Sequence, residues 1–330
     1  MTSLSRRSNR RLTLTAAVSV AVSLFGFGQV SQAQVLSSAR LQPTDVLAVN
    51  TVLRAEVPQA IRSTGELVTA GDITGLPVIG QESNGKWNGY LATITDEIGQ
   101  ILGLKIDWSD PGDATSASAL LALGAGRFNL IAEGLGDTLP REVTYNFVDY
   151  VDNFQALTVS LTDPDHVENI PDACGKTFGL VDGSGNHTIG LNAWCEAHGL
   201  KPAIPDVFES GTAESEALQS GQVAESGGPT LSEEWDAKHG SPIRVIPANY
   251  GASKHILGTQ IFGYVTAKTV AGHKLDEALL GALQELVTNG DYIAALKQWD
   301  AQSEALVGTL HVGINAGYQG TQFYNPMAGG

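Results

Sequence analysis

Cysteine, basic charge and long apolar runs are all scarce in this chain of 330 residues, and each scarcity closes off a class of function. Cys174 and Cys195 are the only cysteines, with no Cys-x-x-Cys or His-x-His beside them. A metal would have to be gathered from Cys195, His198 and His187, which is short of the tight four-ligand set that zinc takes, so no metal is expected. Lysine and arginine number 19 against 35 acidic residues, a formal net charge of -16, and no basic cluster follows the N-terminus. Such a surface repels polyanions, which excludes nucleic acid as a partner. There is no G-x-S-x-G and no H-E-x-x-H, and the glycine pairs Gly134/Gly136 and Gly183/Gly185 lack the rest of a phosphate or dinucleotide fingerprint. Neither a hydrolase nor a cofactor is therefore expected.

What is present begins with "MTSLSRRSNRRLTL", which sets Arg6, Arg7, Arg10 and Arg11 before the apolar "TAAVSVAVSLFGFG", with small residues Ser31 and Ala33 ahead of Gln34. This is the pattern of a cleaved export signal over residues 1–33. The run from Leu12 to Phe27 is short and interrupted by Ser, Thr and Gly, unlike a membrane anchor. Arg10 and Arg11 also fit a twin-arginine signal, and no cysteine stands at the cleavage point for a lipid anchor. A soluble protein outside the cytoplasm, periplasmic or secreted, is expected. In that oxidising setting the two cysteines favour pairing with each other, a closure of roughly 3 kcal/mol in the chain-entropy model. A free thiol or a metal site on Cys195 and His198 is the rival.

Hydrophobic residues make up 42% of the chain, enough for one or two α/β domains. After a lead-in, "GELVTAGD" (65–72) reads as a strand. "GYLATITDEIGQILGL" (89–104) reads as a helix with Ile94, Ile98 and Leu102 on one face, closed by Gly103. "SASALLALGAGR" (116–127) is a second helix, running into the strand "FNLIAEGLG". Strand–helix alternation of this kind makes a parallel sheet, with working residues at the carboxyl ends of the strands. "NFQALTVSL" (153–161), "TFGLVD" (177–182) and "IFGYVTAK" (261–268) are extended, and "NHTIGLNAWCEAHG" is a helix stopped by Gly199. Leu275, Leu279, Leu283 and Leu286 stripe a long core helix ending at Gly290, with Asp291 placed to cap the next one. Residues 225–250 read as loops with one short strand near "IRVIP", and the glycine-rich tail 308–330 yields no functional reading.

Four segments together carry a family resemblance: 89–104, "GRFNLIAEGLGDTLPREVTYNFVDY" (126–150), "IPDACGKTFGLVDGSG" (170–185) with "CEAHG", and "LDEALLGALQELVTNGDYIAALKQW" (275–299). In order and spacing the chain resembles the polar amino-acid family (family 3) of periplasmic solute-binding proteins that serve ABC importers. The resemblance implies an α/β, two-lobed periplasmic-binding-protein-like fold with two crossover strands and a central ligand cleft that closes like a hinge. The implied layout is a signal peptide (1–33), a lead-in (34–64), the first part of lobe 1 (65–154), lobe 2 (155–255), the return to lobe 1 (256–305) and a tail (306–330). The implied partners are a small carboxylate-bearing, amino-acid-like ligand and a membrane permease, with the protein itself a monomer, no enzyme and without cofactor.

The resemblance also assigns roles. Arg141 would grip a ligand carboxylate with its planar fork of donors, helped by Thr138 and by backbone N–H groups at Gly134 and Gly136, where relatives carry serine. Ser184 and Gly185 would contribute from the second lobe, which the Cys174–Cys195 pair would staple. Departures matter as much: Gly75, Val78 and Ser116 stand where aromatic rings are expected, Pro229 where an ammonium-binding carboxylate is expected, and Ala224 in place of an acidic residue. Asp72 and Glu133 are the candidate replacement acids, since a buried ammonium needs a counter-charge. Two other readings stay open. One is an exported cyclohexadienyl (prephenate or arogenate) dehydratase-like enzyme with Glu133 as its poised acid. The other is a ligand-sensing module without transport.

Overall fold

Asn50 starts the first helix by accepting hydrogen bonds from the N–H groups of Val52 and Leu53, which satisfies donors that a helix start leaves unpaired. The computed structural model describes residues 46–72, 74–109, 116–181, 187–246, 259–306 and 312–315; the expected export signal lies outside them. Helices α1 (Thr51–Glu56) and α2 (Gln59–Thr64) lead into β1 (Glu66–Ala70). A small antiparallel sheet of β2 (Thr74–Gly75), β3 (Ile79–Gln81) and β4 (Trp87–Asn88) follows. Helix α3 (Tyr90–Leu102) buries Ile94, Ile98 and Leu102 as their spacing predicts, and Gly103 closes it at φ 63° with its N–H on the carbonyls of Gln100 and Gly99. Next come β5 (Lys105–Ser109), α4 (Ser116–Gly124), β6 (Leu130–Ile131) and the short α5 (Leu139–Glu142). Strand β1 lies between β5 and β6, parallel to both, so the expected strand–helix alternation does build a parallel sheet.

Strand β7 (Tyr145–Ser160) then runs for sixteen residues and belongs to two cores. Phe147, Val148, Tyr150 and Val151 pack with the residues of β1, β6 and α3. Leu157 and Val159 pack with Val167, Ile170, Phe178, Leu180 and Leu191 instead. A single strand that leaves one hydrophobic core and enters another is a crossover, and the protein is accordingly two-lobed.

The second lobe comprises α6 (Ile170–Ala173), β8 (Thr177–Val181), α7 (His187–Ala197), β9 (Ile204–Phe208), α8 (Gly211–Ser220), β10 (Ser226–Pro229), α9 (Thr230–Lys238) and β11 (Ile243–Ile246). Strands β8 and β9 are parallel, a parallel bridge from Phe178 to Glu225 leads on to β10, and β10 and β11 flank the far half of β7 antiparallel to it. Cys174 ends α6 and Cys195 lies buried in α7; they form a disulfide across a separation of 21 residues, as the oxidising-compartment argument expects. The expectation of loops with a single strand over 225–250 is wrong: its described part, 225–246, holds β10 and α9 as well as β11. The tetrapeptide of β10 is Ser-Gly-Gly-Pro, with no alternation to announce it, and β7 imposes its extended form through pairing.

The chain returns through β12 (Thr259–Ala267), antiparallel to β7 from Thr259–Phe154 to Ala267–Tyr145. Helix α10 (Val270–Asn289) buries Leu275, Leu279, Leu283 and Leu286 as predicted. Gly290, at φ 94°, closes α10 and also serves as N-cap of α11 (Asp291–Lys297). Asp291 therefore occupies the first helical position rather than the cap. Beyond α11, Ala305 and Ile314 bridge to Val151 and Val148 of β7, so the described part of the tail runs along the first lobe. Among the described residues no helix is long and apolar enough to cross a membrane.

Candidate functional site

The segment from β6 to α5 is held rigidly on both sides. Asn129 takes the N–H of Val68 on its side-chain oxygen at 2.8 Å, and the N–H of Ala132 reaches the carbonyl of Ala70 at 2.9 Å. On the other side the N–H of Asp137 donates to Ile261 at 2.8 Å, that of Gly263 donates to Leu135 at 3.1 Å, and Gly136 bridges Phe262. The loop that follows β6 is thus pinned between β1 and β12, at the base of the crossover.

Arg141 projects from α5 back over this loop and donates from Nη1 to the carbonyl oxygen of Gly136 at 2.8 Å. Burial lowers the guanidinium pKa, and the neighbouring charge of Asp137 opposes that shift. A partly desolvated guanidinium with one of its five donors on the backbone keeps a fork suited to a carboxylate. Thr138 is the N-cap residue of α5, in extended conformation, and its side chain makes no capping bond.

Gly134 has φ 74°, a left-handed conformation that favours glycine. A Cβ there would lie 3.3 Å from the Phe262 ring and 3.4 Å from Val78. A Cβ at Gly136 would overlap the carboxamide of Gln260. The two glycines at expected serine positions therefore make room for two side chains of β12. Glu133 is half-buried and its charge helps raise the pKa of the Tyr150 hydroxyl on β7, whose main cause is burial. Asp72 follows β1, half-buried, with Oδ2 3.3 Å from where a Cβ on Gly75 would stand. Ser184 and Gly185 lie outside the described residues.

Several polar groups here escaped sequence reading. Gln260 is 8% exposed and pairs with Asn153 across β12 and β7; nothing in its local sequence marks it, and the only hint was glycine at position 136. In the second lobe, Glu214 accepts from the Ser226 hydroxyl at 2.7 Å. Glu233, in the first turn of α9, reaches back over Gly228, where a Cβ would run into its carboxylate. Burial pushes both glutamates up to about 7, with Asp236 and Glu214 adding repulsion at Glu233. Near the expected aromatic positions, Trp87 and Trp108 stack with centroids 5.4 Å apart, and both edges close on Gly71 at the end of β1. Among the described residues no group of three or more His, Cys, Asp and Glu side chains could hold a metal.

Comparison with known proteins agrees with this frame. The model of the bacterial extracellular solute-binding proteins, family 3, matches residues 67–302. Among curated proteins none matches the chain in sequence. Among solved structures, a mutant of ArgBP from T. maritima superposes with TM-score 0.59 at 18% identity, over 74% of this chain and 98% of its own. The arginine-bound amino acid ABC transporter substrate-binding protein AbpA from Streptococcus pneumoniae gives 0.58 at 19%, over 75% and 100%. The ancestral amino acid-binding protein AncCDT-1, a precursor of cyclohexadienyl dehydratase, gives 0.57 at 17%, over 73% and 98%. At these identities the likeness is one of fold.

Proposed function

Since the chain belongs to the bacterial extracellular solute-binding proteins of family 3, we propose that it captures a small, carboxylate-bearing, amino-acid-like solute and delivers it to the permease of an ABC importer. The observation that carries this reading is Arg141: a desolvated guanidinium, fixed by Gly136 at the carboxyl end of a parallel sheet, beside the crossover. Open α/β sheets bind ligands at that edge. In a site of lowered dielectric a bidentate arginine–carboxylate contact is both strong and directional. Asp72 and Glu133 are the acids proposed to offset an ammonium on the same ligand. Ser184 and Gly185 are proposed to close over it from the second lobe, with Thr138 and the backbone at Gly134 and Gly136 completing the first. Export is proposed to follow the N-terminal signal, leaving the protein periplasmic or secreted.

The test is thermal denaturation of the purified protein against individual amino acids and organic acids, because a ligand that binds only the folded state stabilises it by RT ln(1 + [L]/Kd) and raises the melting temperature accordingly. A concentration-dependent shift that Arg141→Ala weakens at least ten-fold in apparent affinity, with the fold unchanged, is expected from the loss of a charged hydrogen bond of about 1.5–3 kcal/mol. A shift of equal affinity in wild type and Arg141→Ala would refute the clamp. Consumption of prephenate or arogenate would favour the dehydratase instead.

A further inference from the structure

Strand β12 places Gln260 and Phe262 on one face, two residues apart, as the alternation of a strand requires. Opposite that face the loop after β6 offers glycine twice: Gly134 meets the Phe262 ring and Gly136 meets the Gln260 carboxamide. The pairing of Gly136 with Phe262 and of the Asp137 N–H with the Ile261 carbonyl fixes the register between the two segments. In this conformation a Cβ at position 136 would overlap the carboxamide's Nε2 and Cδ, so a side chain there would have to displace it. Gly136 is also the residue whose carbonyl holds Arg141. Guanidinium and carboxamide therefore converge on one buried glycine, one from α5 and one from the return crossover strand.

We infer that Gln260 is a ligand-reading residue, its Nε2 donating to the same ligand carboxylate that Arg141 grips. This rests on the proposed function. A buried amide has two donors to satisfy. The Gly136 α-carbon beside it accepts none. A carboxylate has about four lone-pair sites, enough for an arginine fork together with a carboxamide. Gln260 also sits on β12 opposite Asn153 of β7, so a bond from its amide would tie ligand occupancy to the crossover pair and not to one lobe alone.

The test compares wild type with Gln260→Ala, Gln260→Glu and the double variant Gly136→Ser/Gln260→Ala, titrated with whichever members of a panel of twenty L-amino acids stabilise the wild type. Gln260→Glu keeps the shape but turns the donor into a carboxylate. It is expected to lose ten-fold or more in affinity for every carboxylate ligand, as Gln260→Ala does. In the double variant the vacated space takes the seryl hydroxyl, which restores donation, so its affinity is expected to exceed that of Gln260→Ala. Gln260→Glu binding within two-fold of wild type while Arg141→Ala loses its ligand would overturn the role of Gln260 and leave the proposed function standing. If no amino acid stabilises the wild type, the proposed function falls and this inference falls with it. Should Gln260→Ala fail to melt cooperatively, the isosteric Gln260→Glu decides alone.

Discussion

Glu225 precedes β10 with its side chain fully buried, and within the described residues neither carboxyl oxygen meets a hydrogen-bond partner. Burial pushes its pKa from 4.5 up to about 9. Lys176 pulls the other way, while Asp165 and Asp163 add to the rise. Lys176 is itself engaged with Asp165 at 2.8 Å, which limits the relief it can give. Because the folded pKa lies above the unfolded one, the native state holds a proton that the unfolded chain releases, and stability is lost as pH rises through that window. Glu225→Gln keeps the volume and abolishes the titration. Relative to wild type the variant is expected to gain about 1 kcal/mol near pH 5, about 3 near pH 7 and about 5 near pH 8.5, apart from a constant offset from the amide. Urea denaturation of both proteins at those three pH values measures the gap directly. Other raised carboxyls such as Glu304 and Glu97 titrate equally in both proteins and cancel. A gap that does not widen with pH would show that Glu225 is ionised in the folded protein and refute the reasoning.

The Tyr292 hydroxyl donates to the Tyr150 carbonyl at 2.5 Å and accepts from the Leu306 N–H at 3.0 Å. Tyr292→Phe is therefore expected to cost about 1–3 kcal/mol and to speed amide exchange at Leu306; unchanged exchange there would contradict the bond. Reducing Cys174–Cys195 should lower stability by about 3 kcal/mol, read as a lower urea midpoint with reductant than without. Equal midpoints would mean that the staple does not constrain the unfolded chain. Gly89 has φ 113° and faces the Val78 carbonyl, into which a Cβ would run. Gly89→Ala is expected to lose about 2 kcal/mol or more, and a melting temperature equal to wild type would place that turn differently.

Features carried by local periodicity are legible in the residue order itself. The Ile94/Ile98/Leu102 and Leu275–Leu286 stripes are core faces, and Gly103 and Gly290 are their stops. Two cysteines in a chain with the pattern of an export signal pair with each other. Segments whose form comes from partners are not legible in this way. Strand β10 carries two glycines and no alternation, yet pairing with β7 makes it a strand, with β8 bridging Glu225 just before it. Helix α9 carries only Leu231 and Trp235 as apolar anchors, and Trp235 settles on Trp299, far away in sequence, with centroids 5.3 Å apart.

The sequence alone determined what short-range physics and composition can fix: the α/β class, the core faces and glycine stops of α3 and α10, and the charge that turns polyanions away. The tertiary structure decided which distant groups share a surface. It set Gln260 over Gly136, far apart along the chain, buried Glu225 with no hydrogen-bond partner among the described residues and brought Glu233 back over Gly228. Side-chain chemistry can be read from a residue's name. Desolvation and steric exclusion are properties of its neighbours, and the pairing of β7 with β12 and β10 chooses those neighbours.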